Sequence, residues 1–131
     1  MPKLPDLLER THQFALASLR FFQSLPKTAQ AQISGTQFYR AATSVESNYR
    51  AARRGRSTAE FIAKLGTVVE EIDETVVWLE HMRDGKIAAD SALLSEAQQL
   101  RRIFGRSLGT ARRNANLAKI NSSKDPTSKV H

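Results

Sequence analysis

The sequence predicts an all-α protein that folds as an antiparallel, up-and-down bundle of four helices. Apolar residues recur in alternating steps of three and four, which is the spacing of one face of an α-helix. No segment shows the sustained alternation of apolar and polar residues that is typical of a β-strand. The breaks between the periodic segments are short, and short connections join neighbouring antiparallel helices. The 131 residues suffice for one such domain with a modest core.

The first two helices are predicted on either side of the Leu25–Pro26 step, because the residue before a proline disfavours helical backbone. The first helix is expected to end near Ser24, and its apolar lines are Leu7, Phe14, Phe21 and Leu8, Ala15, Phe22. The second is expected to begin between Thr28 and Thr36 and to run to about Arg54, although Gly35 weakens the prediction for its first turns. Its apolar stripe is rich in small residues and comprises Phe38, Ala42, Val45, Tyr49 and Ala52.

The third helix is predicted from Thr58 to about Arg83. Ser57 and Glu60 have the spacing of a capping box, and Gly55 suits the end of the preceding helix. Two adjacent apolar lines form a wide stripe that can contact more than one neighbour, and they comprise Phe61, Leu65, Val68, Ile72, Thr75, Leu79, Met82 and Ile62, Val69, Val76.

The fourth helix is predicted to start at a cap formed by Asp90 or Ser91 and to continue to about Ala118. Gly105 and Gly109 either lower its stability or allow a close helix contact, and the sequence leaves both open. The predicted division of the chain is therefore a bundle over residues 1–119 and a disordered polar tail over residues 120–131.

Composition narrows the classes of function. The formal net charge of +7 favours nucleic acid or an anionic surface as a partner. The chain has no cysteine, which excludes disulfides, and no apolar run long enough to span a bilayer. No secretory signal is visible, so we expect a cytoplasmic protein that does not associate with membranes.

Two clusters of basic residues are candidate nucleic-acid-binding surfaces. The first, the basic corner, lies at the turn between the second and third helices and comprises Arg50, Arg53, Arg54, Arg56 and Lys64. The second, the basic face of the fourth helix, has no acid beside it in the sequence and comprises Arg101, Arg102, Arg106, Arg112 and Arg113. Arginine forks suit phosphate oxygens, which predicts binding to RNA or DNA without sequence recognition. The alternative is a solvated surface, partly paired with the acidic third helix.

Motifs for catalysis are missing from the sequence. Glu9 and His12 have the Glu-x-x-His spacing of four-helix di-iron proteins, but those proteins use two such motifs and this chain has one. There is no Gly-rich phosphate loop, no Gly-x-Ser-x-Gly and no zinc motif. We therefore expect a protein that is not an enzyme, with no catalytic residue, bound metal or cofactor.

The centre of the chain resembles a known family, the four-helix-bundle proteins encoded in intervening sequences of bacterial 23S ribosomal RNA genes. The same fold family includes the accessory variability proteins of diversity-generating retroelements. The resemblance covers about a third of the chain and rests on Ser44-Val45, Ser47-Asn48-Tyr49-Arg50, Arg53 to Arg56, Ser57 to Phe61, Glu71, Glu74-Thr75 and Trp78-Leu79-Glu80. Glu46 departs from the pattern, since many members have Gly or Pro there.

This resemblance implies a homopentameric ring and a basic surface that binds nucleic acid. Retroelement members also contact a reverse transcriptase, so that enzyme is a possible partner. An alternative from another class is an oligomeric scaffold or adaptor whose main partner is a protein.

Six further residues are expected to have structural or subunit-contact roles. Family position implies that Asn48 bonds across to the third helix and that Tyr49 packs inside. Glu71 and Glu74 are expected to pair with Arg40 or Arg50, within or between subunits. Trp78 is interpreted as a core or subunit-contact residue.

Overall fold

Four antiparallel α-helices form the protein in a computed structural model that describes residues 6–124. The helices are α1 (Leu7–Gln23), α2 (Ala29–Arg53), α3 (Thr58–Asp84) and α4 (Ser91–Lys124), and no strand occurs among the described residues. The most extensive contact is between α2 and α3, while α1 packs on α2 and α4 packs on α3. The predicted all-α four-helix bundle is confirmed.

Each helix begins at a side chain that accepts a backbone N–H, which satisfies a donor that the first turn leaves free. The four acceptors are Asp6 (3.0 Å from Leu8 N), Thr28 (3.2 Å from Ala31 N), Ser57 (3.1 Å from Glu60 N) and Asp90 (2.9 Å from Leu93 N). The cap of α4 is therefore Asp90 rather than Ser91. Glu60 completes the cap of α3 by accepting the backbone N–H of Arg56.

Helix α2 begins at the early limit of its predicted range and includes Gly35. A Cβ at this position would collide with the side chains of Phe22, in the last turn of α1, and of Leu25, just after it. Glycine therefore lowers the intrinsic stability of the helix but allows the end of α1 to lie directly on α2.

The core runs the length of the bundle and is built from the predicted apolar lines. Its largest fully buried side chains include Phe14, Phe38 and Phe104. Phe21 of α1 meets Phe38 of α2 edge-on at 5.5 Å between ring centroids, and Tyr49 meets Phe104 of α4 at 5.2 Å. Aromatic contacts thus join α2 to both outer helices.

An ion pair connects the two outer helices, which otherwise make little contact with each other. Arg10 of α1 donates two hydrogen bonds to Glu96 of α4, at 2.8 and 2.7 Å. These bonds raise the pKa of Arg10, and their fork geometry fixes one orientation of α1 against α4.

Helix α4 ends at Lys124, beyond the predicted boundary at residue 119. The apolar periodicity stops near Ala118 because the last turns extend past the core, and Asn121, Ser122 and Ser123 are weak helix formers, so the sequence does not predict these turns. The rest of the predicted tail, residues 125–131, and the first five residues lie outside the described part of the chain. A Cβ added at Gly105 would meet no atom of another helix within 4 Å, so this glycine does not serve a close helix contact.

Glu71 of α3 has a buried carboxylate oxygen, Oε2, that makes no hydrogen bond to any described residue. This desolvation raises the pKa of Glu71, the charges of Glu74 and Glu70 raise it further, and Arg40 opposes the shift. A carboxyl with a raised pKa favours folding while it is protonated, and that contribution is lost as the pH rises through the folded-state pKa. Ionised Glu71 therefore opposes folding at neutral pH.

We predict that Phe104→Ala lowers the free energy of unfolding by about 3–5 kcal/mol, because it leaves a cavity among fully buried neighbours. Urea denaturation followed by circular dichroism measures the change. The control is Leu117→Ala at a position that is 56% exposed, where we expect a change within about 0.5 kcal/mol. Equal effects of the two substitutions would contradict the full burial of Phe104 in the core.

We predict that Glu71→Gln stabilises the protein at neutral pH and has little effect below the ordinary glutamate pKa of about 4.3. The reason is that the wild-type carboxylate is penalised only when it is ionised. Urea midpoints of both proteins at several pH values give the difference, with Glu9→Gln on α1 as the control for an exposed glutamate. A variant that is less stable than wild type at neutral pH would refute the assignment.

Candidate nucleic-acid interface

The basic corner retains most of its charge in the folded chain. Arg53 and Arg54 are exposed at the end of α2, Arg56 lies in the turn, and Lys64 is exposed on α3. Within residues 6–123, neither Arg54 nor Lys64 has an ion-pair partner. Glu60 is used by the cap of α3, so the spacing of Glu60 and Lys64 does not produce a salt bridge.

Two arginines of the corner have partners inside the protein. Arg53 donates a 3.2 Å hydrogen bond to the hydroxyl of Tyr49, which raises the pKa of Arg53. Its guanidinium carbon also lies 6.0 Å from the centre of the Tyr49 ring. Arg50 contacts Glu46 at 3.0 Å, and Glu46 in turn contacts His12 of α1 at 2.7 Å. Arg50 is therefore partly neutralised, whereas Arg53 keeps its full charge in a fixed position.

The basic face of α4 divides into a paired residue and several free ones. Arg101 pairs with Asp73 of α3 at 3.3 Å. Arg102 and Arg106 are exposed and have no ion pair with any described residue. Among the described residues, Arg113 donates a hydrogen bond to the Thr110 hydroxyl of its own helix, at 3.3 Å, and Arg112 lines a pocket together with residues of α3. The free arginines of α4 are therefore Arg102 and Arg106 near its middle and Arg112 and Arg113 toward its carboxyl end.

Antiparallel packing brings the carboxyl end of α4 beside the amino end of α3. A groove of about 660 Å³ separates them and is lined by Thr58, Ala59, Ile62, Ala63, Arg112, Ala115, Asn116, Ala118 and Lys119. We call this the α3–α4 groove. The two basic clusters therefore meet at one end of the bundle, while Arg101 and Arg102 lie at least about 15 Å away along α4.

Acidic side chains are scarce at this end of the bundle. Glu60 is bound in the cap of α3, and Asp6, the cap of α1, acts weakly on Arg53. The sequence holds no acid from residue 61 to 69 and none from 97 to 124. We call this end the basic end, and its cations are Arg53, Arg54, Arg56, Lys64, Arg112, Arg113 and Lys119.

Sequence reasoning missed Lys119 and Asn116 as site residues. Only the register of α3 against α4 places them beside Thr58 and Ala59, and no local motif marks them. The one available signal was the absence of acid along the second half of the fourth helix.

The residues expected to have structural roles lie along α2 and α3. Arg40 approaches Glu74 at 3.6 Å, as expected. The expected pairing of Glu71 is wrong for the described residues, because Glu71 forms no ion pair there and Arg50 pairs with Glu46. Half-buried Trp78 donates from Nε1 to Glu74 at 3.5 Å, and Tyr49 packs on Phe104.

The expectation for Asn48 requires correction. Its amide does not reach α3, because it donates to the Ser44 carbonyl one turn back in α2, at 2.9 Å.

The Glu-x-x-His pair does not form part of a metal site in the described structure. Glu9 accepts from Gln13 at 2.8 Å, and His12 contacts Glu46. No group of three or more metal-ligating side chains converges among residues 6–123. Nor is any helix in the described range long and apolar enough to cross a membrane.

Comparison with known proteins agrees with this architecture. A crystal structure from Bacteroides thetaiotaomicron, of a protein of unknown function from the S23 ribosomal protein family, superposes with a TM-score of 0.73. The two chains are 21% identical, and the match covers 79% of this chain and 98% of that one. At that identity the likeness shows a shared fold. Among curated protein sequences, none is significantly similar to this chain.

The family model described as 23S rRNA-intervening sequence protein matches residues 5–106. This range includes α1, α2, α3 and the first half of α4, and it excludes the turns of α4 that line the groove. Because the match covers most of the chain, the protein belongs to the 23S rRNA-intervening sequence protein family.

Proposed function

We propose that this protein is a non-enzymatic, cytoplasmic nucleic-acid-binding protein that holds RNA or DNA through phosphate contacts, without reading sequence. The observation that carries the proposal is the basic end of the bundle, where the exposed cations Arg54, Lys64 and Arg112 have no carboxylate partner in the described chain. Membership of a family named for ribosomal RNA intervening sequences supports RNA as a ligand.

The chemistry of the basic end suits a polyanion. Arginine presents several N–H donors in a rigid fork, which matches phosphate oxygens in pairs. Cations contributed by α2, α3 and α4 lie on one end of a rigid bundle, so their fields add over the same region. Binding by such contacts releases counterions and therefore weakens steeply with salt.

The biological setting has two forms within this proposal. In one, the protein binds the RNA of a ribosomal intervening sequence. In the other, it is an accessory factor of a diversity-generating retroelement and also contacts a reverse transcriptase. A reverse-transcriptase gene beside the gene for this protein would favour the second.

A second candidate function is an oligomeric scaffold or adaptor, and the outer face of α2 and α3 favours it. Ile33 is 66% exposed and Val77 is 53% exposed, although both are large and apolar. Ile33 lies two turns from Arg40 on the same side of α2, and Val77 lies one turn from Glu74 on the same side of α3. The two apolar residues therefore share the face that carries the Arg40–Glu74 ion pair. Half-buried Trp78 follows Val77 directly in α3. This face, the α2–α3 outer face, suits contact with further copies in a ring, for which five subunits are expected.

We predict that wild-type protein binds duplex DNA at low salt and that Arg54→Gln combined with Arg112→Gln reduces the salt slope by about 1.8, because about 0.9 is lost per phosphate contact. Fluorescence anisotropy over a range of salt concentrations measures the slope. The matched control is Lys27→Gln combined with Lys86→Gln, which removes the same charge from the opposite end of the bundle. Salt-insensitive binding, or equal slopes for both double variants, would contradict the proposal.

We predict that Val77→Glu lowers the number of subunits in the oligomer. The reason is that a carboxylate buried in an apolar subunit contact has no partner to offset its loss of hydration. Multi-angle light scattering gives the mass, and emission from Trp78, the one tryptophan in the chain, reports whether its surroundings become more exposed. Leu117→Glu is the control, because Leu117 is similarly exposed, at 56%, but lies on α4. An unchanged mass for Val77→Glu alone would exclude this face as the subunit contact.

A further inference from the structure

We propose that the α3–α4 groove receives an unpaired nucleotide of single-stranded RNA or DNA, with its base on the floor of the groove and its phosphates at the rim. The inference rests on the proposed nucleic-acid-binding function and adds the form of nucleic acid that this site prefers. It also assigns a place where a base is contacted, which phosphate binding alone does not require.

The floor of the groove is apolar and lies where the bundle core ends. Leu65 and Leu108 are the last core residues of α3 and α4 at this end, and both are buried. Beyond them the lining consists of Ile62 and four alanines, Ala59 and Ala63 on α3 and Ala115 and Ala118 on α4. Alanine side chains are too short to fill the space between two helices, so a volume of about 660 Å³ stays open. That volume lies within the range of about 300–1,000 Å³ that small-ligand sites occupy.

The rim of the groove is cationic and polar. Arg112 and Lys119 stand two turns apart on α4, with Asn116 between them, and Thr58 faces them from α3. No carboxylate lines the groove, and neither cation forms an ion pair within the described chain. Apolar floor and cationic rim together match a ligand that has a flat face and a negatively charged backbone.

Such a ligand is an unpaired nucleotide rather than a base pair within a duplex. In a duplex the faces of the bases are covered by stacking, and a protein meets phosphates and base edges. A single strand leaves the faces of its bases free for contact with the protein, while its phosphates track a basic groove. The carboxylates of an acidic peptide would pair with the cations of the rim, but they would gain nothing from contact with the apolar floor.

The α4 wall of the groove lies outside the range that the family model matches. Arg112, Asn116 and Lys119 lie beyond residue 106, where the match to the family model ends. The predicted base contact therefore does not rest on family membership.

The test compares two labelled probes of equal charge: an oligothymidylate of about 12 nucleotides and a strand of equal length in which every base is replaced by an abasic site. We expect wild-type protein to bind the oligothymidylate about tenfold more tightly, which corresponds to about 1.4 kcal/mol. Ala63→Leu fills the groove without changing charge, so it should abolish this preference while affinity for the abasic strand stays within about twofold.

Three comparisons make the outcome specific. Ala29→Leu adds the same side chain at an exposed alanine at the start of α2, away from the groove, and should leave the preference intact. Ala59→Leu fills the groove from a second position, which guards against a folding defect in one variant. Arg112→Gln should weaken binding of both probes. Circular dichroism melting of each variant confirms that it is folded.

Failure of this inference differs from failure of the proposed function. Equal wild-type affinity for the two probes, or a preference that survives both groove-filling variants, overturns the base contact and leaves phosphate binding standing. Absence of binding to both single strands and to duplex DNA overturns both proposals. A mass shift on adding an acidic peptide, with no binding of either strand, would reassign the groove to a protein partner.

Discussion

The packing of α2 against α3 is the contact on which the rest of the bundle depends. Small and medium residues of α2, such as Ala42 and Val45, meet branched residues of α3, such as Val68 and Ile72, and all four are fully buried. Small side chains on one helix let the two backbones approach, so branched side chains on the other can fill the contact. Helix α1 packs on α2 and helix α4 packs on α3, and the Arg10–Glu96 ion pair joins these two outer helices to each other.

The same arrangement determines which arginines stay free. Apart from Glu60, the acids of α3 lie beyond residue 69, where Glu74 pairs with Arg40 and Asp73 pairs with Arg101. The first turns of α3 hold only Glu60, and the helix cap uses its carboxylate. Cations beside those turns therefore lack partners, whatever the total number of acids in the chain. The positive end of the molecule results from the position of carboxylates along α3 more than from the number of arginines.

Much of the fold follows from the sequence because each helix carries its own apolar face and its own cap. Ser57 and Asp90 act locally, within one turn, and local patterns can predict them. Side-chain partners between helices are different, since they depend on register and rotamer. Asn48 is a clear case, because its amide finds the Ser44 carbonyl in its own helix before any group on α3. The α3–α4 groove also depends on register, which explains why the basic clusters could be predicted while their convergence with Lys119 could not.

The extension of α4 past the core matters because a helix holds charges in place. Arg112 and Lys119 are seven residues, or two helical turns, apart. They therefore lie about 10 Å from each other along one side of the helix. In a flexible tail the same two cations would sample many separations, and binding would have to order them at a cost in entropy. Alanines on the inner side keep those turns helical while leaving space between α3 and α4. Low side-chain volume and high helix propensity, two properties of one residue type, thus account for both the open groove and its fixed rim.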